Sequence, residues 1–389
     1  MALFFFLFLL TIGVQGIARA AEPIKIGFMA PYVGVFAKLG NDLRNGFKLC
    51  LEEAGYKAAG REIIFFDEDT EGKPEVGLVK AKKLVEKDQI HILAGVISSP
   101  VAYAVRDYVI EKKIPFVICS AGATKLTQEQ RSPYLFRVSF ANGQEELAAG
   151  WYAYMKLGAK KVIIMAPDYS AGHEKVQGFL KTFKAMGGEL VEEIYPPLGT
   201  TDYAPYLAKV VKYVGKADRV WAFFAGSDAI RFINQYDEHG LKDKIKLWVD
   251  GGTVDEAILP SMKEAALGVD NYQHYAPSID TAENRRFVKA FQQKFNEIPA
   301  QLADQGYVGA KVVVKAIEAV KGKVENKEAF LKALKSVQFE APRGAFRFDD
   351  DQNVIFNVYI RRVAMENGRY FNQVIDTIPD VDQYWMPKK

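Results

Sequence analysis

IKIGFMAPYVGVFAKLGNDLRNGFKLCLEEAG, residues 24–55, reads as a strand followed by a helix, and the same unit recurs down the chain. Residues 24–30 (IKIGFMA) are an apolar run broken only by Lys25. After it Leu39, Leu43, Phe47, Leu51 and Ala54 fall on one helical face, which Gly55 ends. IIFF (63–66) is the next strand, and Pro74 opens a helix that turns Leu78, Ala81 and Val85 inward. IHILA (90–94), the stripe Val101, Ala104 and Tyr108, and IPFVI (114–118) continue the series. The alternation then restarts with VIIMA (162–166), ELVEEI (189–194), VWAFF (220–224) and IKLWV (245–249). The helix after the first of these carries Val176, Phe179 or Leu180, and Phe183. Strand starts at 24, 63, 90 and 114, then 162, 189, 220 and 245, are 24 to 39 residues apart within each set, the length of one β-α unit. Short apolar strands alternating with helices mean a parallel sheet covered on both faces, and two sets mean two α/β domains.

Beyond residue 268 the sequence predicts a strand in VDNYQHYA (269–276), helices over 282–297, 303–320 and 327–336, and a last strand over 354–361. This material is too short for a third domain, so it is expected to return and complete both existing ones, with several crossings between them.

The chain has 389 residues, with 51 Lys and Arg against 48 Asp and Glu. A net charge of +3 gives no polyelectrolyte signal, so nucleic acid is not an expected partner. At the N-terminus LFFFLFLL (3–10) leads through Ile12, Val14 and Ile17 to Ala18-Arg19-Ala20, the shape of an export leader cut before Ala21, although no Lys or Arg precedes the apolar run. No other stretch is long enough to span a membrane. Export allows a disulfide between Cys50 and Cys119. Their positions, one mid-helix and one at the end of a buried strand, argue for two buried free thiols.

In open parallel sheets, ligands bind beyond the carboxyl ends of strands, where loops enter helix N-termini. Those positions include Ile97-Ser98-Ser99, Ser120 through Thr124, Pro167-Asp168-Tyr169, Ala225-Gly226-Ser227 and Asp250-Gly251-Gly252. The Ser98-Ser99 and Ala121–Thr124 turns offer backbone N–H groups and hydroxyls to a carboxylate; the same Ser and Thr residues could equally cap helices. Asp250 either presents a carboxylate to a ligand ammonium or shapes a turn. Tyr169 could stack on a ligand or cover the sheet edge. The acidic run 67–69 lacks the ligand pattern of a calcium loop, and no metal site or cofactor is expected. G-x-S-x-G, P-loop, H-E-x-x-H and G-x-G-x-x-G motifs are absent. His91, in a predicted strand, and His173, His239 and His274 are scattered, so no catalytic residues are expected.

The leader and residues 24–55, together with GVISSPVAYAVRDYVIEKKIPFVICSAGATKLT (95–127), resemble the periplasmic leucine/isoleucine/valine-binding protein family. APDYSAGHEKVQGF (166–179), WAFFAGSDAIRFINQYDEHGL (221–241) and DQGYVGAKVVVKAIEAV (304–320) agree. The resemblance implies a type I periplasmic binding fold, two doubly wound parallel-sheet lobes joined by three crossovers that close over a ligand. It places a leader at 1–20, one lobe at 21–141 and 273–353, and the other at 142–272 and 354–389.

The resemblance further implies that Ser98, Ser99 and the turn Ala121, Gly122, Thr124 hold a ligand carboxylate. Tyr169 closes from the second lobe, and Asp250 falls near the acidic residue that pairs with an amino group. Leu39 and Leu302 fall where branched-chain binders have aromatic residues, and the cysteine pair of those binders is missing near Thr70 and Ser98. The expected function is delivery of an amino acid, branched-chain or other, to the membrane permease of an ABC importer by a monomeric periplasmic protein. Relatives that take aromatic or aliphatic carboxylates or short amides give the alternative, as does a soluble sensor of the same fold. An exported enzyme with an unrecognised site is the third reading.

Overall fold

The computed structural model describes residues 22–387; the expected leader and its cleavage point lie outside the described residues. The first sheet holds β1 (Ile24–Ala30), β2 (Lys57–Ala58), β3 (Arg61–Asp69), β4 (Ile92–Gly95), β5 (Phe116–Ile118) and β6 (Leu135–Arg137) in the order β2-β3-β1-β4-β5-β6. All pairs are parallel except the short β2 with β3. β1 is central, with Ile26 opposite Phe65 on one side and Ile92 on the other, which is why its sequence is apolar on both faces.

The second sheet begins with β7 (Lys161–Met165), β8 (Glu189–Ile194), β9 (Arg219–Ala222), β10 (Lys246–Asp250) and β11 (Asp270–Gln273), all parallel. Antiparallel strands then extend it: β12 (Phe339–Ala341), β13 (Gly344–Phe348), β14 (Val354–Glu366) and β15 (Arg369–Val381). Its order is β12-β13-β14-β11-β10-β9-β7-β8, with β15 on β14.

Helices α1 (Ala37–Glu53), α2 (Pro74–Lys82) and α3 (Ser99–Glu111) belong to the first half. α4 (Gln144–Met155), α5 (Ser170–Ala185), α6 (Ala204–Val211) and α7 (Gly226–Glu238) belong to the second. α8 (Ala282–Phe295), α9 (Gln301–Ala319) and α10 (Lys327–Lys335) follow β11, and α9 packs along α1. The chain therefore passes between the halves over 138–143, over 274–281 and again before β14, the two-lobed arrangement with three crossovers. We propose the lobe boundaries expected above on this connectivity. β12 and β13, inside the segment proposed for the first lobe, are joined to β14, and Asn353 bridges to Arg137 of β6.

Two details differ from the sequence reading. His91 precedes β4 instead of lying in a strand, because its ring Nδ1 accepts the Lys25 N–H at 3.0 Å and ends the pairing there. The last strand is not 354–361 but a hairpin of two 13-residue strands. Its turn, Asn367-Gly368, has positive φ at both residues (51° and 78°), the tight hairpin turn that an Asn-Gly pair favours. β15 was illegible because its charged residues and Pro379 break the alternation, as an edge strand tolerates. Cys50 and Cys119 are both buried and free, as expected.

α1 and α9 approach closely because each presents a glycine to the other. A Cβ at Gly46 would overlap the Ala303 carbonyl, and one at Gly306 the Leu43 carbonyl. Both obstacles are helix backbone, which cannot step aside as a side chain can. Gly46→Ala is therefore expected to destabilise the protein by roughly 1–3 kcal/mol, as overpacking does. Thermal or urea denaturation checks it, and an unchanged midpoint would rule out the backbone contact as a constraint.

Candidate functional site

The carboxyl ends of β4 and β5 face those of β9 and β10 across a cavity between the lobes. The space inside it, with the open solvent at its mouth included, is roughly 590 Å³. From the first lobe come Ile97, Ser98, Ser99, Ser120 and Gly122, with Phe36 and Leu39 leading into α1. The second lobe supplies Tyr169, Ala171, Lys175, Phe223, Ala225, Asp250 and Gly252. Phe140, Asn142 and Glu145 reach in from the first crossing and α4, and Gln301 and Leu302 from the start of α9. Seven sequence-predicted site residues thus meet at one cavity: Ser98, Ser99, Gly122, Tyr169, Asp250, Leu39 and Leu302.

Ala121 and Thr124 do not line it. Ala121 is buried behind the strand end, where its N–H donates to the Val96 carbonyl at 2.9 Å. Thr124 turns to the second lobe instead: its N–H donates to Glu174 Oε2 at 2.8 Å, and its hydroxyl lies 2.8 Å from the same oxygen. Glu174 also accepts from the Tyr103 hydroxyl of α3 at 2.8 Å and from Asn142 Nδ2 at 2.9 Å. Elsewhere on the rim Gly226, at φ 58°, lies against the Val35 carbonyl, where a Cβ would collide. The lobes therefore touch at two separate places.

Ser98 occupies the N-cap position of α3 but makes no side-chain cap hydrogen bond. Ser99 Oγ accepts from Asn142 Nδ2 at 3.1 Å, which leaves its own proton to donate. Among the described residues neither the Ser98 nor the Ser120 hydroxyl donates to a protein group. A helix N-terminus with hydroxyl donors beside it favours an anion. Gly122 allows the approach, because a Cβ there would strike Asn142 and the Phe140 ring.

The opposite wall is charged and buried. Lys175 Nζ donates to Asp250 Oδ2 at 2.7 Å and Glu146 Oε1 at 2.6 Å, with Glu145 Oε2 at 4.0 Å. Asp250 Oδ1 accepts the Gly252 N–H at 2.8 Å, and Glu146 Oε2 that of Gly143 at 2.9 Å. Burial pushes Glu146 well above the carboxylate range, with Asp250 and Glu145 adding repulsion, so Lys175 does not bring it down. Burial also acts to raise Asp250, but Lys175 holds it below its ordinary value. Against its own desolvation, Lys175 is kept above the usual lysine range by Asp250 and Glu146. Lys175 thus stands between Asp250, whose anion it favours, and Glu146, whose anion burial disfavours. Glu145, Glu146 and Asp250 bring their oxygens close enough to hold a metal ion, but the Lys175 ammonium already stands among them.

The Phe140 and Phe223 rings flank that ammonium, with centroids 4.7 and 5.1 Å from Nζ. Burial holds the His274 imidazole below its ordinary range. Its Nδ1 lies 2.8 Å from Glu145 Oε1 and its Nε2 3.2 Å from Gln305. Neutral His274 therefore donates from Nδ1, a tautomer assigned from these partners.

Sequence reasoning missed Lys175, Glu145, Gln301 and the three phenylalanines. Lys175 had a signal: it sits at i, i+4 and i+8 with Phe179 and Phe183, on the stripe read as inward. A lysine on an apolar stripe is a buried charge in search of partners.

A model of the periplasmic binding protein family matches residues 23–369. The Leu/Ile/Val-binding protein homolog 6 of Brucella melitensis is 33% identical over 368 residues, which cover 92% of this chain and 93% of that one. An ABC transporter substrate-binding protein from Sphaerobacter thermophilus superposes with a TM-score of 0.89 at 41% identity, over 93% of this chain and 99% of the other. An R. palustris ABC transporter solute-binding protein in complex with benzoate gives 0.86 at 32%, over 92% and 98%. No helix of the described residues is long and apolar enough to cross a membrane. Two sheets joined by three crossovers around a cavity between the lobes agree with the sequence matches, and the chain belongs to the periplasmic binding protein family, the substrate-binding proteins of ABC transporters.

Proposed function

We propose that this protein binds an aromatic carboxylate outside the cytoplasmic membrane and delivers it, as a monomer, to the permease of an ABC importer. The observation that carries the ligand class is the Lys175–Asp250 ion pair. An amino-acid ligand needs a desolvated anion for its ammonium, and the expected one, Asp250, is already neutralised at 2.7 Å. The rest of the wall suits a flat apolar body, with Phe36, Phe140, Phe223, Tyr169, Leu39 and Leu302 around it. The carboxylate of such a ligand fits against Ser98, Ser99, Ser120 and the first turn of α3. The benzoate complex of the R. palustris protein supports the same class, whereas the name of the Brucella protein keeps leucine as the comparison to run. In this reading the site binds and releases without a catalytic step. The leader expected over residues 1–20 supplies export.

Calorimetric titration should show tight binding of benzoate-type acids and none of leucine; the reverse pattern would overturn the proposal. Ser99→Ala should weaken benzoate binding by roughly 10- to 150-fold, since a hydrogen bond to a charged group is worth about 1.5–3 kcal/mol.

Closure has its own test. Glu174 gathers Thr124, Tyr103 and Asn142 across the lobes, so Glu174→Ala should favour the open state. Small-angle scattering of the variant should give a larger radius of gyration at subsaturating ligand than the unmodified protein shows. Identical curves would remove Glu174 from the closing mechanism.

A further inference from the structure

Two polar groups in the cavity wall have bonding capacity that the protein itself leaves open. Glu145 is 1% exposed. Its Oε1 accepts both the backbone N–H and the Nδ1–H of His274, at 2.7 and 2.8 Å. Its Oε2 accepts no hydrogen bond among the described residues, and the nearest cation, Lys175 Nζ, stands off at 4.0 Å. Lys175 has three N–H donors and directs two of them at Glu146 and Asp250. The third finds no acceptor among the described residues, and both side chains line the cavity. A carboxylate oxygen that faces the cavity without a protein donor must give up cavity water when a ligand enters, so a ligand that supplies a donor is favoured over one that cannot.

The 4.0 Å separation selects the kind of group. One oxygen can sit about 2.8 Å from both atoms, donating its proton to Glu145 and accepting from Lys175. A hydroxyl does both. An ammonium has no acceptor to offer and would lie against the lysine cation. A second carboxylate would meet Glu145 with like charge.

We infer that Glu145 and Lys175 together read a hydroxyl on the ligand, so that the preferred ligand is a hydroxylated aromatic carboxylate, with Glu145 as its specificity-determining acceptor. This rests on the aromatic-carboxylate reading and narrows it.

The test titrates the full protein with benzoate, 3-hydroxybenzoate, 4-hydroxybenzoate and the two matching methoxybenzoates. One hydroxybenzoate should bind at least about tenfold tighter than benzoate, and its methyl ether, which keeps the oxygen but loses the donor, should forfeit that advantage. Glu145→Gln should shrink the hydroxybenzoate-to-benzoate affinity ratio by about tenfold, because an amide replaces the charged acceptor. The methoxy comparison uses the unmodified protein and stands even if the variant fails to fold. Benzoate bound as tightly as either hydroxybenzoate, or a ratio unchanged in a folded Glu145→Gln variant, would overturn the assignment of Glu145 and leave the aromatic-carboxylate reading intact. Failure of every benzoate to bind would overturn both.

Discussion

A single ammonium, Lys175 Nζ, is buried where α4, α5 and the end of β10 converge, and the chemistry of the cavity follows from how it is neutralised. A lone buried cation would be too costly to keep, and removing one partner of such a pair typically costs about 3–5 kcal/mol. Here Asp250 supplies the counter-charge, and Glu146, whose ionisation burial opposes, gives a second short contact. Two phenylalanine rings flank the same ammonium. The ion pair also fixes Asp250 in place in the cavity wall.

The two faces of the cavity divide the work. The first lobe offers dipoles and hydroxyls without formal charge at the start of α3, which suits an anion that must also be released. The second lobe brings charge that is already paired, together with aromatic surface. Glu174 follows the same division, since it lies one residue before Lys175 on α5 but faces the other way, into Thr124 and Tyr103. One turn of α5 therefore carries both a cavity-wall charge and a contact that holds the lobes together.

The α/β alternation was readable because burial on both sheet faces leaves continuous apolar runs, and helices over them must show a stripe. Of the nine expected site residues, Ser98, Ser99, Gly122, Tyr169 and Asp250 line the cavity because strand ends lie there, and Leu39 and Leu302, expected from the resemblance, reach it from two helices. The two that fell elsewhere, Ala121 and Thr124, belong to a turn whose direction depends on the lobe opposite. The Asn367-Gly368 hairpin carried a usable turn signal, but its second strand is too polar to be recognised without its partner β14.

What the sequence determined by itself is the periodicity: which segments are strands, which helices, and which loops stand at strand ends. Period 2 and period 3.6 are local properties, set by covalent geometry and by which side of an element is dry. Only the tertiary structure decided that Asp250 is paired, because its partner is 75 residues away on another element. The same holds for Glu145, whose two oxygens become unequal only when His274, 129 residues on, occupies one of them. Charge pairing in a buried site is a long-range contact, and a linear pattern carries the charges without the distances between them.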